Sequence, residues 1–275
     1  MSVTKNDITK AVKELGIKNG DTILVHSSFK SLGEVDGGAE TVICGFLDAI
    51  GEEGTLVFPT FVQKDFKNAY KTWHLDKESD VGYLTNYFRL RKGSKRSDQA
   101  THSVAASGKM ADELTKTHGH TSKRFGSMGD TPFAPDSPWE KMYQKNAKIV
   151  MLGVSPLYIT FRHYAEYCYI EECLIALSNK KEYDEMKERL TSFGKKGVWP
   201  HLHNEVLAEL YNEKYGEKKS VCGDAELLCF NAKEFTNLAM EHLRNYDERV
   251  LRRNDEAWDT DGWIEWTEDY RKIVK

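Results

Sequence analysis

The chain lacks the features that mark membrane proteins and nucleic-acid-binding proteins. No apolar run approaches the roughly 20 residues that a membrane-spanning helix needs, and the N-terminal segment has no apolar core of the kind found in signal peptides. Basic residues are not in excess, since the net charge is −4 and the sequence pI is about 6.2. We therefore expect a soluble cytoplasmic protein that binds neither nucleic acid nor a membrane.

Cysteines and the common cofactor and metal motifs are also scarce. The five cysteines include no C-x-x-C pair, and their odd number fits a disulfide framework poorly, so we expect reduced thiols. The sequence contains no G-x-x-x-x-G-K-[ST] phosphate loop, no G-x-G-x-x-G after a strand and no H-E-x-x-H. The pairs His118/His120 and His201/His203 have no companion ligands at metal spacing, and we expect no metal site.

The signature of a serine hydrolase is incomplete. The segment nearest to a nucleophile elbow is GVSPL at 153–157, which lacks the second glycine. Pro156 follows Ser155 directly, so the free backbone N–H that such sites use as an oxyanion donor is missing. Hydrolysis through a serine nucleophile is therefore disfavoured.

Short apolar runs alternate with helical patterns near the N-terminus. Thr22–His26 and Gly54–Phe58 resemble buried strands, and Ala39–Ile50 between them has helical spacing. This order predicts a parallel βαβ unit, and Ile149–Val154 predicts a third buried strand. We expect a single α/β domain over residues 1–275, with an elaborated C-terminal part.

The remaining elements are predicted from spacing and capping residues. Gln63–Arg96 is charged and aromatic with weak periodicity, which fits either irregular structure or a cover over a site. A strand is expected near Val198–Leu202. Further helices are expected over Thr4–Leu15, Ala111–Thr117, Ser137–Gln144, Phe161–Leu177, Asn204–Tyr215 and Ala232–Tyr246.

The richest chemistry follows the third strand, in TFRHYAE at 160–166. Ligands of α/β proteins collect beyond the carboxyl ends of strands, and Thr160 can cap a helix whose first turn contains His163. His163 and Glu166 are three residues apart, so a carboxylate on the same face can hold one imidazole nitrogen and leave the other as an acceptor. The helix N-terminus lowers the pKa of His163 and Glu166 raises it. The pair suits a general base, although an ordinary surface pair has the same spacing.

Two other clusters offer groups that bind anions. The loop Ser27–Gly33 follows the first strand and supplies hydroxyls, backbone N–H groups and Lys30. Arg96–Ser97 and Thr101–Ser103 add a cation and further donors. Either cluster alone is compatible with an ordinary polar loop, but together they suit phosphate or pantetheine recognition.

Four ordered motifs resemble the aminoglycoside 3-N-acetyltransferase (antibiotic N-acetyltransferase) family. They are Val25–Phe61, Arg96–Gly119, Ser137–Val154 and Thr160–Glu166, with a weaker echo at Cys222–Phe235, so the resemblance covers essentially the whole chain. It implies a fold distinct from the GNAT superfamily, with a mixed central sheet flanked by helices. It also implies transfer of acetyl from acetyl-CoA to the 3-amino group of 2-deoxystreptamine in an aminoglycoside, a role in antibiotic resistance, and a monomer or homodimer.

The resemblance also assigns site residues. His163 is expected to be the base, with Glu166 and Thr160 completing the catalytic set. The expected acetyl-CoA site consists of Ser27, Ser28, Lys30, Leu32, Gly33, Arg96, Ser97, His102 and Ser103. Two departures are Leu157, where several members have an acidic residue, and a long segment at Gly126–Asp136.

The acceptor side is less defined. Asn254–Tyr270 holds seven carboxylates and three tryptophans, which suit a polycationic amino sugar. We expect some of Asp255, Asp259, Asp261 and Glu265 to bind the acceptor, although an acidic solvated face is the competing explanation. Two other functions remain open: acetylation of a different amine metabolite or peptide, and a non-catalytic CoA-binding module.

Overall fold

A computed structural model describes residues 2–62, 64, 71–118, 132–175, 181 and 200–252. The helices in this part of the chain are α1 (Lys5–Glu14), α2 (Gly38–Ile50), α3 (Tyr83–Leu90), α4 (Ala111–Thr115), α5 (Pro138–Gln144), α6 (Phe161–Ile175), α7 (Asn204–Tyr215) and α8 (Ala232–Arg244). The strands are β1 (Thr22–Ser27), β2 (Thr55–Pro59), β3 (Lys95–Arg96), β4 (Val104–Gly108), β5 (Lys148–Leu152), β6 (Lys219–Cys222) and β7 (Ala225–Asn231). Short 3₁₀ helices occur at Phe29–Leu32, Pro156–Tyr158 and Glu248–Val250.

The strands form one mixed sheet in the order β3-β4-β2-β1-β5-β7-β6. The central strand β1 is parallel to both neighbours, with Leu24 opposite Val57 of β2 and Ile149 of β5. The outer pairings between the named strands are antiparallel. The predicted βαβ unit and the mixed sheet are therefore confirmed.

Apolar side chains cover both faces of the sheet, which explains why the central strands read as continuous apolar runs. Leu24, Ile149 and Met151 belong to a core shared with helices α4 to α8. Ile23 and Val25 point to the other face and pack with helices α1 to α3. Because neighbouring strand residues alternate between faces, β1 contributes to both cores.

Local capping explains where several helices begin. Thr4 and Asp7 form a reciprocal capping box at α1, and the Ser137 hydroxyl accepts from the Glu140 N–H, 3.3 Å away, in front of Pro138 at the start of α5. None of the helices in the described ranges combines the length and the hydropathy needed to cross a bilayer.

Three elements differ from the sequence-based expectations. The strand expected at Gly54–Phe58 runs from Thr55 to Pro59, so Pro59 is its last residue and lies opposite Val104. The segment Gln63–Arg96 contains helix α3, which weak periodicity concealed. Of the strand expected near Val198–Leu202, only residues 200–202 are described, and there Leu202 forms a single antiparallel bridge with Leu251.

Candidate active site

The carboxyl ends of the three parallel strands open onto one cavity. Ser27 ends β1, Pro59 ends β2, and the segment after β5 leads into α6, so the chain segments beyond all three strands meet at the same sheet edge. The cavity there has a volume of about 480 Å³. Its lining consists of His26, Ser27, Pro59, Phe61, Asp80, Val81, Thr85, His102, Val154, Leu157, Tyr158, Ile159, Thr160, Arg162 and His163.

His163 lies in the first turn of α6 and is held by two successive hydrogen bonds. Its Nδ1 is 2.6 Å from Glu166 Oε2, the contact that the spacing of three residues predicts. The other carboxylate oxygen, Oε1, accepts from the Leu202 N–H at 2.8 Å. Glu166 is fully buried, so this second contact fixes the carboxylate and, through it, the imidazole.

Glu166 is charged and His163 is uncharged at neutral pH. Burial is the largest influence on His163 and lowers its pKa, although the neighbouring Glu166 raises it in part. Burial alone raises the pKa of Glu166, but His163 and Arg162 bring it down to about 2. We therefore assign an ionised carboxylate beside an uncharged imidazole, whose Nδ1 carries the proton and whose Nε2 is an acceptor.

Other basic groups surround this imidazole. Arg162 Nε–H donates to His163 Nε2 at 3.4 Å, and Arg162 also donates to the Leu202 carbonyl at 3.2 Å. The His102 ring is 5.9 Å from the His163 ring, edge to face, and the His201 ring stacks at 6.2 Å. Burial and the nearby His163 lower the pKa of His102, so this neighbouring imidazole is uncharged at neutral pH.

Thr160 is buried and lines the cavity, and its carbonyl accepts from the His163 N–H at 2.9 Å. Leu157 also lines the cavity, so the position where several family members have an acid presents an apolar side chain here. Its carbonyl accepts from Asn204 Nδ2 at 2.8 Å.

Only part of the expected acetyl-CoA loop lines the cavity. Ser27 does, whereas Ser28 is half-buried beside it, with its N–H bonded to the Leu152 carbonyl at 2.9 Å. Lys30 is exposed to solvent, and Leu32 is buried in the core with α1 and α2. Gly33 has a φ of 76°, where a side chain would meet Asp224 at 2.8 Å.

The second expected cluster is mostly engaged inside the protein. Arg96 donates to Thr60 O at 2.6 Å and to Leu75 O at 2.9 Å, and its guanidinium lies 4.6 Å over the Trp73 ring. The Ser97 hydroxyl binds His118 Nδ1 at 2.8 Å, and the Ser103 hydroxyl donates to Thr60 O at 2.9 Å. Of this cluster, His102 is the residue that reaches the cavity.

Several lining residues were not expected from the sequence. His26 is the last residue of the run TILVH, whose pattern indicates an ordinary buried strand. A titratable residue at the carboxyl end of such a strand was the available signal. Arg162 adjoins the base in the sequence, and Asp80 comes from Gln63–Arg96, whose sequence fits either irregular structure or a cover over a site.

The expected acceptor residues Asp255, Asp259, Asp261 and Glu265 lie outside the described residues, as does most of Gly126–Asp136. Within the described ranges, no group of three or more His, Cys, Asp or Glu side chains is arranged to hold a metal ion.

Comparison with known proteins gives one consistent result. The model of the aminoglycoside 3-N-acetyltransferase family matches residues 24–244. The SPbeta prophage-derived aminoglycoside N(3')-acetyltransferase-like protein YokD of Bacillus subtilis (strain 168) is 28% identical over 280 residues, covering 91% of this chain and 96% of that protein.

Solved structures share the fold. AAC-IIIb, solved as a binary complex with CoASH, has a TM-score of 0.68 at 17% identity, covering 93% of this chain and 100% of that one. AAC-VIa bound to sisomicin has a TM-score of 0.65 at 16% identity, covering 90% of this chain and 99% of that one. The chain therefore belongs to the aminoglycoside 3-N-acetyltransferase family, whose members are acyltransferases.

Proposed function

We propose that this protein transfers acetyl from acetyl-CoA to an amine of a cationic aminoglycoside, with His163 as the general base. The observation that carries the proposal is the contact of His163 Nδ1 with the buried Glu166, on the wall of the cavity that Ser27 also lines. Family membership supplies the reaction class, and this geometry supplies a group able to accept the proton.

The proposed reaction is a direct attack on the thioester. The amine nitrogen forms a bond with the acetyl carbon while His163 Nε2 takes the proton that the nitrogen loses. The carbon–sulfur bond then breaks, and the CoA thiolate leaves and recovers a proton from the imidazolium. Glu166 stabilises the imidazolium transiently formed and holds the ring through Nδ1, which leaves Nε2 as the acceptor, so its role is positioning.

The donor is proposed to enter the cavity along the loop Ser27–Gly33. A structural neighbour was solved with CoASH, which supports acetyl-CoA as the co-substrate. Ser27 lies inside the cavity and the exposed Lys30 lies on the same loop outside it. This order suits an elongated thioester whose acyl end is buried and whose phosphates meet a cation near solvent. We retain Ser28 and Gly33 as backbone contacts of the donor, and His102 as a contact near its acyl end.

The acceptor is proposed to be a cationic amino sugar. AAC-VIa was solved with sisomicin, which supports a substrate of this class. The cavity presents the Asp80 carboxylate, and it falls in the 300–1,000 Å³ range typical of small-molecule sites. The C-terminal acids Asp255, Asp259, Asp261 and Glu265 remain proposed contacts of the same substrate.

The test is thiol release from acetyl-CoA with a panel of amines: 2-deoxystreptamine aminoglycosides, simple amino sugars and peptides. Release only with aminoglycosides supports the proposal, and release only with other amines contradicts the substrate class. Binding of CoA without any turnover indicates a non-catalytic module instead.

His163→Ala is expected to lower kcat by about 10²–10⁴-fold, the usual contribution of a general base. His242→Ala is the matched control, because His242 Nδ1 also contacts a carboxylate, Asp247, at 2.8 Å but does not line the cavity. Equal kcat values for the two variants would refute the assignment of the base.

A further inference from the structure

Tyr158 is an exposed aromatic residue at the mouth of the cavity. It is 62% exposed, yet it lines the same cavity as Thr160 and His163. Of the large apolar and aromatic residues that are exposed in the described ranges, Tyr158 is the one that lines this cavity. The reaction described above gives its ring no role.

The short 3₁₀ turn that carries Tyr158 is fixed from two sides. The Ser155 hydroxyl accepts from the Leu157 N–H at 3.1 Å and so caps the turn. The fully buried Asn204 donates from Nδ2 to the carbonyls of Leu157 and Ile159, at 2.8 and 2.9 Å. Both residues that flank Tyr158 are therefore held. A contact residue on a fixed backbone loses little conformational freedom when it binds, which favours affinity.

The chemistry of this turn suits a cationic ring. The Ser155 hydroxyl also contacts Glu205 Oε1 at 3.2 Å, so an exposed carboxylate lies against the turn that presents Tyr158. The face of a tyrosine ring attracts an ammonium group and packs against apolar C–H surface. An amino sugar offers both, and the carboxylate adds attraction for its positive charge.

The size of the cavity places part of a large acceptor at its mouth. Its volume of about 480 Å³ has to hold both the acetyl end of the donor and the ring with the reacting amine. Any further rings of the acceptor then lie outside it. Tyr158 precedes the base His163 by five residues in the same segment, so its ring lies on the side of the cavity that presents the base to the amine.

We infer that Tyr158 determines acceptor specificity by stacking on a second ring of the substrate, outside the catalytic cavity. The inference rests on the proposed function and narrows its substrate class. Cationic sugars of several rings are preferred over the same reactive amine on a single ring, because only the larger molecules reach from His163 to Tyr158.

The test compares an aminoglycoside of several rings that the wild-type enzyme acetylates, such as sisomicin, with 2-deoxystreptamine, a single aminated ring. Tyr158→Ala should raise the KM for the aminoglycoside about five- to tenfold, the loss of one exposed cation–π and ring-packing contact. Its kcat should stay within about twofold, because the base is untouched. The Ki of 2-deoxystreptamine as a competitor should also stay within about twofold.

Two further variants show whether the aromatic ring at this position is responsible. Tyr158→Phe keeps the ring and should keep the KM for the aminoglycoside within about twofold of the wild-type value. Tyr215→Ala is the matched control, since Tyr215 is also an exposed tyrosine, at the end of α7, but does not line the cavity. That variant should leave the KM for the aminoglycoside unchanged. The Kd for acetyl-CoA, measured by calorimetry, should be unaltered in all three variants.

Four results overturn the inference alone. They are an unchanged KM for the aminoglycoside in Tyr158→Ala, an equal weakening of 2-deoxystreptamine, a failure of Tyr158→Phe to restore the KM, and a higher Kd for acetyl-CoA in Tyr158→Ala. The last result would assign the ring to the donor instead. If the wild-type chain acetylates no aminoglycoside, the proposed function fails first, and the inference fails with it.

Discussion

Replacing Glu166 with glutamine tests the positioning of the base, because the Leu202 backbone N–H determines which way the new side-chain amide is oriented. Oε1 of Glu166 accepts from the Leu202 N–H at 2.8 Å, and Oε2 contacts His163 Nδ1 at 2.6 Å. In Glu166→Gln the amide oxygen must face Leu202, since the opposite orientation sets two N–H donors against each other. The amide NH₂ group then donates to Nδ1, and the imidazole proton moves to Nε2. The lone pair that accepts the amine proton is lost.

The size of the effect follows from two contributions. If the amide oxygen faces His163 Nδ1 instead, the imidazole regains its proton on Nδ1, but the buried Leu202 N–H loses its acceptor. That loss costs about 1–3 kcal/mol. Losing a charged hydrogen bond to the imidazolium in the transition state adds about 1–1.5 kcal/mol. At 1.36 kcal/mol per tenfold change in rate, kcat should fall by roughly 10²–10³-fold.

The assay is thiol release at saturating acetyl-CoA and aminoglycoside, with calorimetric binding of acetyl-CoA as the check on folding. Glutamine matches glutamate in shape, so the Kd for acetyl-CoA should change by less than about threefold. A glutamine variant that keeps kcat within about threefold of the wild-type value would refute the reasoning, because the tautomer of His163 would then not control the reaction.

Further outcomes are expected from changes of pH and from substitutions at His26, Arg96, Asp259 and Asp261. Burial holds the pKa of His163 below the 6.5 of free imidazole, so kcat should be flat above neutrality and fall on the acid side as the base is protonated. The folded-state pKa of His26 is also depressed, to about 4, so the folded protein becomes less stable relative to a variant without this imidazole as the pH falls from 6.5 towards 4. Urea unfolding of wild-type protein and His26→Leu should differ over this range by up to about 3 kcal/mol. Arg96→Lys should raise the KM for acetyl-CoA and for its dephospho form equally, since the guanidinium is already bonded to carbonyl groups; a loss confined to the phosphorylated donor would restore Arg96 as a phosphate ligand. Neutralising Asp259 and Asp261 together should raise the KM for a cationic acceptor, and an unchanged KM would dismiss the acidic C-terminal segment as its binding site.

Elements with strong local signals were predicted well from the sequence. Helix α7 has the bounds expected for it, Asn204–Tyr215, and the apolar runs gave the central strands β1, β2 and β5. The strands β3, β4, β6 and β7 were missed. The first three are short or consist of small and polar residues, whereas β7, AELLCFN, has an apolar pattern that could have indicated a strand. Val104–Gly108, for example, is VAASG, and pairing with Thr55–Pro59 stabilises it. Such strands are determined by their neighbours in the sheet, which local patterns do not report.

The candidate site likewise contains some contacts that the local sequence predicts and others that it does not. The contact between His163 and Glu166 depends on a spacing of three residues along one helix, so the sequence was sufficient to predict it. The hydrogen bond from Leu202 to Glu166 joins residues 36 positions apart, and no local pattern indicates it. Arg96 was expected to meet phosphates because of its type and its place in a motif. Whether the Arg96 guanidinium reaches the carbonyls of Thr60 and Leu75 depends on the path of the chain past β2. The spacing of residues along the sequence does not determine that path.

His26 could not be recognised as a cavity residue from the sequence, because its type and its place in an apolar run also fit an ordinary residue of a buried strand. Five successive residues, Thr22–His26, are buried, so burial alone makes His26 part of an ordinary strand. What separates it from Leu24 is that β1 ends one residue later, between two parallel neighbours, where the sheet edge opens into the cavity. A histidine two residues earlier in the same strand would have apolar contacts on every side and would simply destabilise the core. At the strand end, an equally buried residue also lines the cavity, and this position follows from the arrangement of β1, β2 and β5 around it.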